Sequence, residues 1–197
     1  MLNHIGTQDI KTNRLILRKI KESDYLDMYR YASKPEVARY VSWSVHTEPK
    51  QTKKLCRLWA NEYVNKDRYN WAIVFNNRVI GNIDITKIFG DKAYIGWQID
   101  NTFWNQGIMT EAATAVLEYM FVVVGIDTLY GSYIPENIGS GRVMEKIGMT
   151  PTDADDYYSF LHGTNKSSMD LEGVELNFMK LTIENYNKIL SHGGITL

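Results

Sequence analysis

A mixed α/β fold, with a mostly antiparallel sheet flanked by helices, is predicted by three features of the sequence. Runs that alternate polar and apolar residues interleave with runs of helical periodicity. Three strand-like runs joined by short turns occupy the middle of the chain, and strand and helix signals alternate after them. The 197 residues, 44% hydrophobic and 12% aromatic, suffice to bury one sizeable core, so a single domain over 1–197 is expected.

Taken in order, Arg14 to Arg18 ("RLILR") alternates as a strand does. Ser23 then offers an N-cap to an amphipathic stretch carrying Tyr25, Leu26, Met28 and Tyr29. A second helix is expected over about Glu48 to Val64, with Thr47 as cap and Pro49 in its first turn. Asn70 to Phe75, Arg78 to Ile88 and Lys92 to Ile99 are rich in β-branched and aromatic residues and read as an antiparallel meander. Next, Ala112, Ala113, Val116, Leu117, Met120, Phe121 and Val124 form one apolar helical stripe that ends at Gly125. Asp127 to Ile134 reads as a strand and Ile138 to Ile147 as a helix with Gly148 beyond its end. Further strands are expected at Tyr157 to His162 and Val174 to Thr182, with Gly163 to Ser168 as a loop between them.

Composition narrows the function. A net charge of -1, from 22 basic and 23 acidic residues without a dense basic run, argues against nucleic acid as a partner. The single cysteine, Cys56, fits a reducing compartment and reads as core packing. His4, His46, His162 and His192 lack metal-ligand spacing, so no metal is expected. The start of the chain lacks the apolar stretch of a signal peptide. Met120 to Ile126, the longest apolar run, is far below the roughly 18 residues of a membrane span. A cytoplasmic location without membrane partner is expected.

Chemistry concentrates in two segments. "WNQGIMTEA", Trp104 to Ala112, lies where a strand, a loop and a helix N-terminus meet. The first N–H groups of a helix lack internal partners and the macrodipole adds positive charge, so the stretch is either an ordinary capped turn or a cradle for a phosphate. Gly107 would let the backbone approach such a group closely. "PENIGSGRVMEKIGM", Pro135 to Met149, follows the next strand and sets Asn137 at its end and Ser140 one helical turn on.

Together the two segments resemble the GNAT N-acetyltransferase superfamily, and within it the RimJ/RimL-like branch. Trp104, Gly107, Thr110, Glu111, Ala112, Asn137, Ser140, Lys146 and Gly148 match its two linked motifs, and the likeness extends over roughly residues 10 to 150. The resemblance implies a twisted sheet that splays apart between the strands at 93–99 and 127–134 to admit acetyl-CoA. Backbone at Gln98, Ile99 and Asp100 would pair with the pantetheine arm. The amides of Asn105, Gln106, Gly107, Ile108, Met109 and Thr110 would hold the pyrophosphate. Asn137 would bond the cofactor arm and Ser140 would donate a proton to the departing thiolate, with no metal involved.

The sequence also departs from the wider superfamily. Trp104 and Met109 replace the Gln or Arg and the Gly or Ala common in the phosphate loop, and Met144 stands where many members carry a tyrosine acid. Ala93 and Tyr94 stand where others place a glutamate base, leaving Asp84, Tyr94 and Tyr133 as groups able to relay a proton. An α-amine is roughly one-seventh neutral at pH 7 and a lysine side chain only about 0.04%, so a protein N-terminus or weak amine needs less help from a base. Asp153, Asp155 and Asp156 read as a solvated loop or as an attractor for a cationic acceptor. Trp43 would shape the acceptor pocket. The expected activity is direct acetyl transfer to a peptide or small-molecule amine by a monomer or homodimer. A catalytically silent acyl-CoA-binding module is the alternative, and an unrelated nucleotide-binding domain ranks last because the loop lacks Walker and dinucleotide patterns.

Overall fold

The computed structural model describes residues 1–41, 43–161 and 175–193. Among them eight strands form one sheet: β1 Ile10–Lys11, β2 Ile16–Arg18, β3 Tyr69–Phe75, β4 Arg78–Phe89, β5 Lys92–Ile99, β6 Thr128–Tyr133, β7 Thr150–Thr152 and β8 Asn177–Thr182. Their spatial order is β1-β2-β3-β4-β5-β6-β8-β7. Every neighbouring pair is antiparallel except β5 and β6, which run parallel. The meander follows from its turns: Asn76 and Asn77 both adopt positive φ, 48° and 61°, as a two-residue hairpin turn demands.

The helices are α1 Tyr25–Ala32, α2 Pro35–Ala38, α3 Pro49–Glu62, α4 Ile108–Glu118, α5 Ile138–Lys146, α6 Ala154–Leu161 and α7 Ile183–Ser191. A wider π-turn, Tyr119–Val124, prolongs α4 to Gly125, whose φ of 83° ends it. The two faces of the sheet divide the core. On one face, α4 lays Ala112, Ala113, Val116 and Leu117 against Trp71, Ile83, Ile95 and Ile99. Burying each larger aliphatic there contributes roughly 1.5–3 kcal/mol. On the other, α1 and α3 cover Ala72 and Val79 with Met28, Tyr31 and Cys56. A third cluster joins α6 to the sheet, with the Tyr130 and Phe160 rings stacked at 5.0 Å and those of Tyr157 and Phe178 at 4.5 Å.

Several expectations need correction. The stretch expected as a strand from Tyr157 is helix α6, because Asp153 accepts the Asp156 N–H at 2.7 Å and caps a helical turn. The helix then buries Tyr157 and Phe160 three residues apart, so the aromatic content that suggested a strand serves a helix face. The first helix is capped by Asp24 and not Ser23. The Asp24 carboxylate accepts the Lys21 N–H and both Arg18 Nη groups, and a short 3₁₀ turn, Glu22–Asp24, precedes α1. The cap of α3 is Glu48 rather than Thr47, with the Gln51 side chain accepting from both N–H groups. β1, α2, β7 and α7 carry too little periodicity to be read from sequence. His162, Val174 and the loop 163–168 lie outside the described residues.

Candidate active site

The parallel pairing of β5 with β6 is brief. Lys92, Ala93 and Tyr94 face Thr128, Leu129 and Tyr130, and there the ladder stops, although β5 continues to Ile99 and β6 to Tyr133. Beyond this point the two strands part. At the apex the Tyr94 and Ser132 hydroxyls hydrogen-bond at 2.8 Å across the gap. On its other edge β5 stays paired to β4, with the Asp100 N–H donating to Ile80 O at 2.8 Å. Antiparallel alternation then directs the backbone of Gln98 and Asp100 toward β4 and that of Trp97 and Ile99 into the gap. Of the three strand residues expected to offer backbone to an arm, Ile99 faces the opening. Gln98 and Asp100 do not, and Trp97 joins it.

The loop after β5 is held from behind. The Asp100 carboxylate, 2% exposed, accepts from Thr102 N and Oγ1, from Lys34 Nζ at 2.7 Å and from Arg78 Nη2 at 3.2 Å. Burial raises its pKa, but Lys34 and Thr102 outweigh this and the carboxyl is held below its usual value. The Trp104 indole donates to Ile99 O at 3.2 Å and the Gln106 amide to Thr102 O at 2.9 Å. Asn105 and Gly107 adopt positive φ of 59° and 71°, which reverses the chain before α4 begins.

Glu111, one turn into α4, accepts from Thr12 Oγ1 at 2.6 Å, Arg14 N at 2.8 Å and Arg14 Nε at 2.6 Å, while Arg14 Nη1 donates to Gln106 O at 3.0 Å. The loop carbonyls of Ile99, Thr102 and Gln106 are thereby occupied. The N–H groups of Asn105, Gln106, Gly107, Ile108, Met109 and Thr110 have no acceptor among the described residues. This is an anion-accepting helix N-terminus, set by side-chain braces that the sequence did not reveal. Their only sequence signal is the pairing of an Arg near the start with a Glu four residues after Gly107.

Past β6, the Asn137 side chain accepts the Ser140 N–H at 3.2 Å and so caps α5. Its amide N–H₂ and the Ser140 hydroxyl have no partner among the described residues, and both residues are partly buried. α5 lies tight on β6. A Cβ at Gly141 would stand 2.8 Å from the Tyr133 ring, and one at Gly131 would stand 3.0 Å from Met144 Cε. Met144 therefore packs the core where a tyrosine acid stands in other members.

On the α1 and α3 face the sheet carries a polar row. Asn82 accepts from the Tyr31 hydroxyl at 3.3 Å and from the Gln98 amide at 2.6 Å, and Tyr63 donates to Asn70 O at 2.7 Å. Gln98 Oε1 is buried without a partner among the described residues. Asp84 belongs to the same row, and burial pushes its carboxyl up to about 7, with Arg68 opposing and Glu62 adding to the shift. The acidic trio after β7 is occupied instead. Asp153 caps α6 and Asp156 binds Lys180 at 2.9 Å and Thr152 at 2.8 Å, which leaves little of it to attract an acceptor. Cys56 is fully buried against Met28 and burial pushes its thiol up to about 12, so it stays a packing residue. His4, His46 and His192 bond locally to Tyr69, Thr52 and Lys188.

A sequence profile of the acetyltransferase (GNAT) domain matches residues 14–150, which contain the braced loop and the Asn137–Ser140 cap. The chain belongs to the GNAT family. It is 35% identical over 147 residues to the uncharacterized N-acetyltransferase YnaD of Bacillus subtilis (strain 168), covering 71% of this chain and 81% of that one. The fold is similar to a GNAT acetyltransferase from Bacillus anthracis, with 26% identity, a TM-score of 0.73, and 90% and 99% of the two chains covered. It is also similar to the RimL ribosomal L7/L12 α-N-protein acetyltransferase solved with coenzyme A, with 18% identity, a TM-score of 0.73 and the same coverage. As a GNAT enzyme the protein is an N-acetyltransferase. No helix among the described residues is long and apolar enough to cross a membrane, and no group of three or more His, Cys, Asp or Glu among them is placed to hold a metal.

Proposed function

We propose that this GNAT enzyme moves an acetyl group from acetyl-CoA directly onto a primary amine, a protein N-terminus or a small-molecule amine, as a RimJ/RimL-like member. One observation carries the reading: the sheet opens after Tyr94 and Tyr130, and the opened edge of β5 leads straight to a loop whose amides are unengaged. Ile95 to Ile99 span about 17 Å at 3.3–3.4 Å per residue, enough for an extended pantetheine arm ending near the apex.

The residues present fit that cosubstrate. Asn105 to Thr110 offer N–H groups to the pyrophosphate, and the acidic side chain at the loop, Glu111, is turned back onto Thr12 and Arg14. Trp97 and Ile99 offer backbone to the arm. The free amide of Asn137 would bond the arm's carbonyl groups, and the Ser140 hydroxyl would donate to the leaving thiolate. Holding amine and thioester in attack geometry supplies up to roughly 7–11 kcal/mol of the barrier reduction. The RimL neighbour, which binds coenzyme A in this fold, supports the cosubstrate assignment.

Calorimetry with acetyl-CoA, CoA and ATP tests the site. Acetyl-CoA and CoA are expected to bind and ATP to bind weakly; tight ATP binding with none for acetyl-CoA would sink the reading. Thiol release is then measured across N-terminal peptides, polyamines, amino acids and aminoglycosides. Ser140→Ala is expected to lower turnover without weakening acetyl-CoA binding, and unchanged turnover at every pH would remove Ser140 from the reaction.

A further inference from the structure

We infer that a recess over Gly96, on the sheet face covered by α1 and α3, seats the acceptor amine, and that Asp84 is the base that takes its proton. The inference rests on the acetyl-transfer reading above. Asp84 and Gly96 are direct partners across β4 and β5, so their side-chain directions point to one face. That face also holds Asn82, bonded to Tyr31 of α1. Gly96 falls in the part of β5 that has parted from β6, beside the path assigned to the thioester.

Nothing in the protein requires glycine there. Its φ is not positive, and an added Cβ would meet only Asp84 Oδ1 and Thr86 Cγ2, each at 3.6 Å, an ordinary contact distance. Gly131 and Gly141 differ, since a Cβ at either would press on a neighbour at 3.0 Å or less. The missing side chain at Gly96 leaves space beside a carboxyl and opens it to a ligand.

Asp84 is partly buried and has no hydrogen-bond or ion-pair partner among the described residues. The groups around it are committed elsewhere. From the α3 side, Glu62 is bonded to Arg68 at 2.6 Å and the Tyr63 hydroxyl donates to Asn70 O of β3. From β5, the Tyr94 hydroxyl is paired with Ser132. No cation neutralises Asp84 directly, and burial holds the carboxyl at about 7. A base of that strength suits an α-amine better than a lysine side chain, whose pKa lies about three units higher.

The reaction then balances. The acceptor ammonium gives one proton to Asp84, and its nitrogen lone pair forms the C–N bond at the thioester carbonyl carbon. The C–S bond breaks and sulfur leaves with the electron pair. The nitrogen's second proton reaches that sulfur through solvent and the Ser140 hydroxyl, and the proton on Asp84 passes to solvent.

Three measurements on the full chain test this. The Asp84 carboxyl is titrated by ¹³C NMR, with a near-neutral value expected; an ordinary value of about 4 overturns the inference. Thiol release with the best acceptor of the panel is followed from acid to alkaline pH. Asp84→Asn is expected to lower kcat/KM about 10²-fold at neutral pH and to erase the acidic limb near 7, with acetyl-CoA binding retained. An Asn variant that keeps the wild-type rate and limb overturns the inference. Gly96→Leu, which fills the recess, is expected to raise the acceptor KM while acetyl-CoA still binds. An unchanged KM overturns the proposed seat. Failure of the wild-type protein to bind acetyl-CoA is the distinct outcome that removes the parent reading, and the NMR titration decides on Asp84 in either case.

Discussion

Burial raises the Asp84 carboxyl from the ordinary aspartate range to about 7, and the sign of its effect on stability follows. The native state holds this proton more tightly than the unfolded chain, so the contribution is fully present below the unfolded pKa and is lost as pH rises toward 7. Above 7 the fold carries a partly buried, unpaired charge. Asp84→Asn is therefore expected to melt at a higher temperature than the wild type at pH 8, with the gap closing as pH falls from about 7 to about 4. Equal melting temperatures at pH 8 would show that the carboxyl is well solvated. A gain in stability paired with a loss of turnover is the mark of a residue kept for chemistry. Sequence could name Asp84 but not rank it, because its neighbour Gly96 is twelve positions away and meets it only through the β4–β5 register. Asn137 and Ser140 were legible for the opposite reason: a cap and the N–H it holds are three residues apart.

Among the elements, the phosphate loop depends most on a distant part of the chain. Glu111 receives three hydrogen bonds, one of them from a guanidinium; burial raises its carboxyl, but Thr12 and Arg14 lower it further. A depressed carboxyl contributes stability above its unfolded pKa and loses it as pH falls through the folded value. Glu111→Ala is expected to cost on the order of 2 kcal/mol at neutral pH, less below pH 4, and to weaken CoA binding as the loop loosens. Denaturation curves and calorimetry check both effects, and unaltered CoA affinity would show that the loop holds its shape without the brace. The meander and α4 could be read in the sequence because their hydrophobic periods are strong and their turns carry Asn or Gly. α6 could not, since tyrosine and phenylalanine favour strands on average and only the Asp153 cap tips the segment toward helix. The brace itself was invisible, because nothing local to Glu111 announces a partner near the other end of the domain profile.

For the whole molecule, the sheet is a single surface whose one parallel junction fails halfway, and the site is what that failure exposes. Order of the strands and alternation of their backbones decide which amides face the gap, and neither is written in any local motif. Hence the sequence located the loop and the cap correctly, while the strand contribution shifted from Gln98 and Asp100 to Trp97 and Ile99. The Arg14–Glu111 link has one more consequence, and it concerns time. It joins residues 97 apart, so the cradle cannot close until the chain has been synthesised beyond Glu111 and its early segment has been recaptured. Contacts of such separation form slowly because loop-closure entropy must be met first. In refolding from denaturant, burial of Trp71 is expected to precede recovery of CoA binding, and Arg14→Ala to remove that lag together with part of the affinity. During synthesis the nascent enzyme would thus carry a sheet before it carries a site.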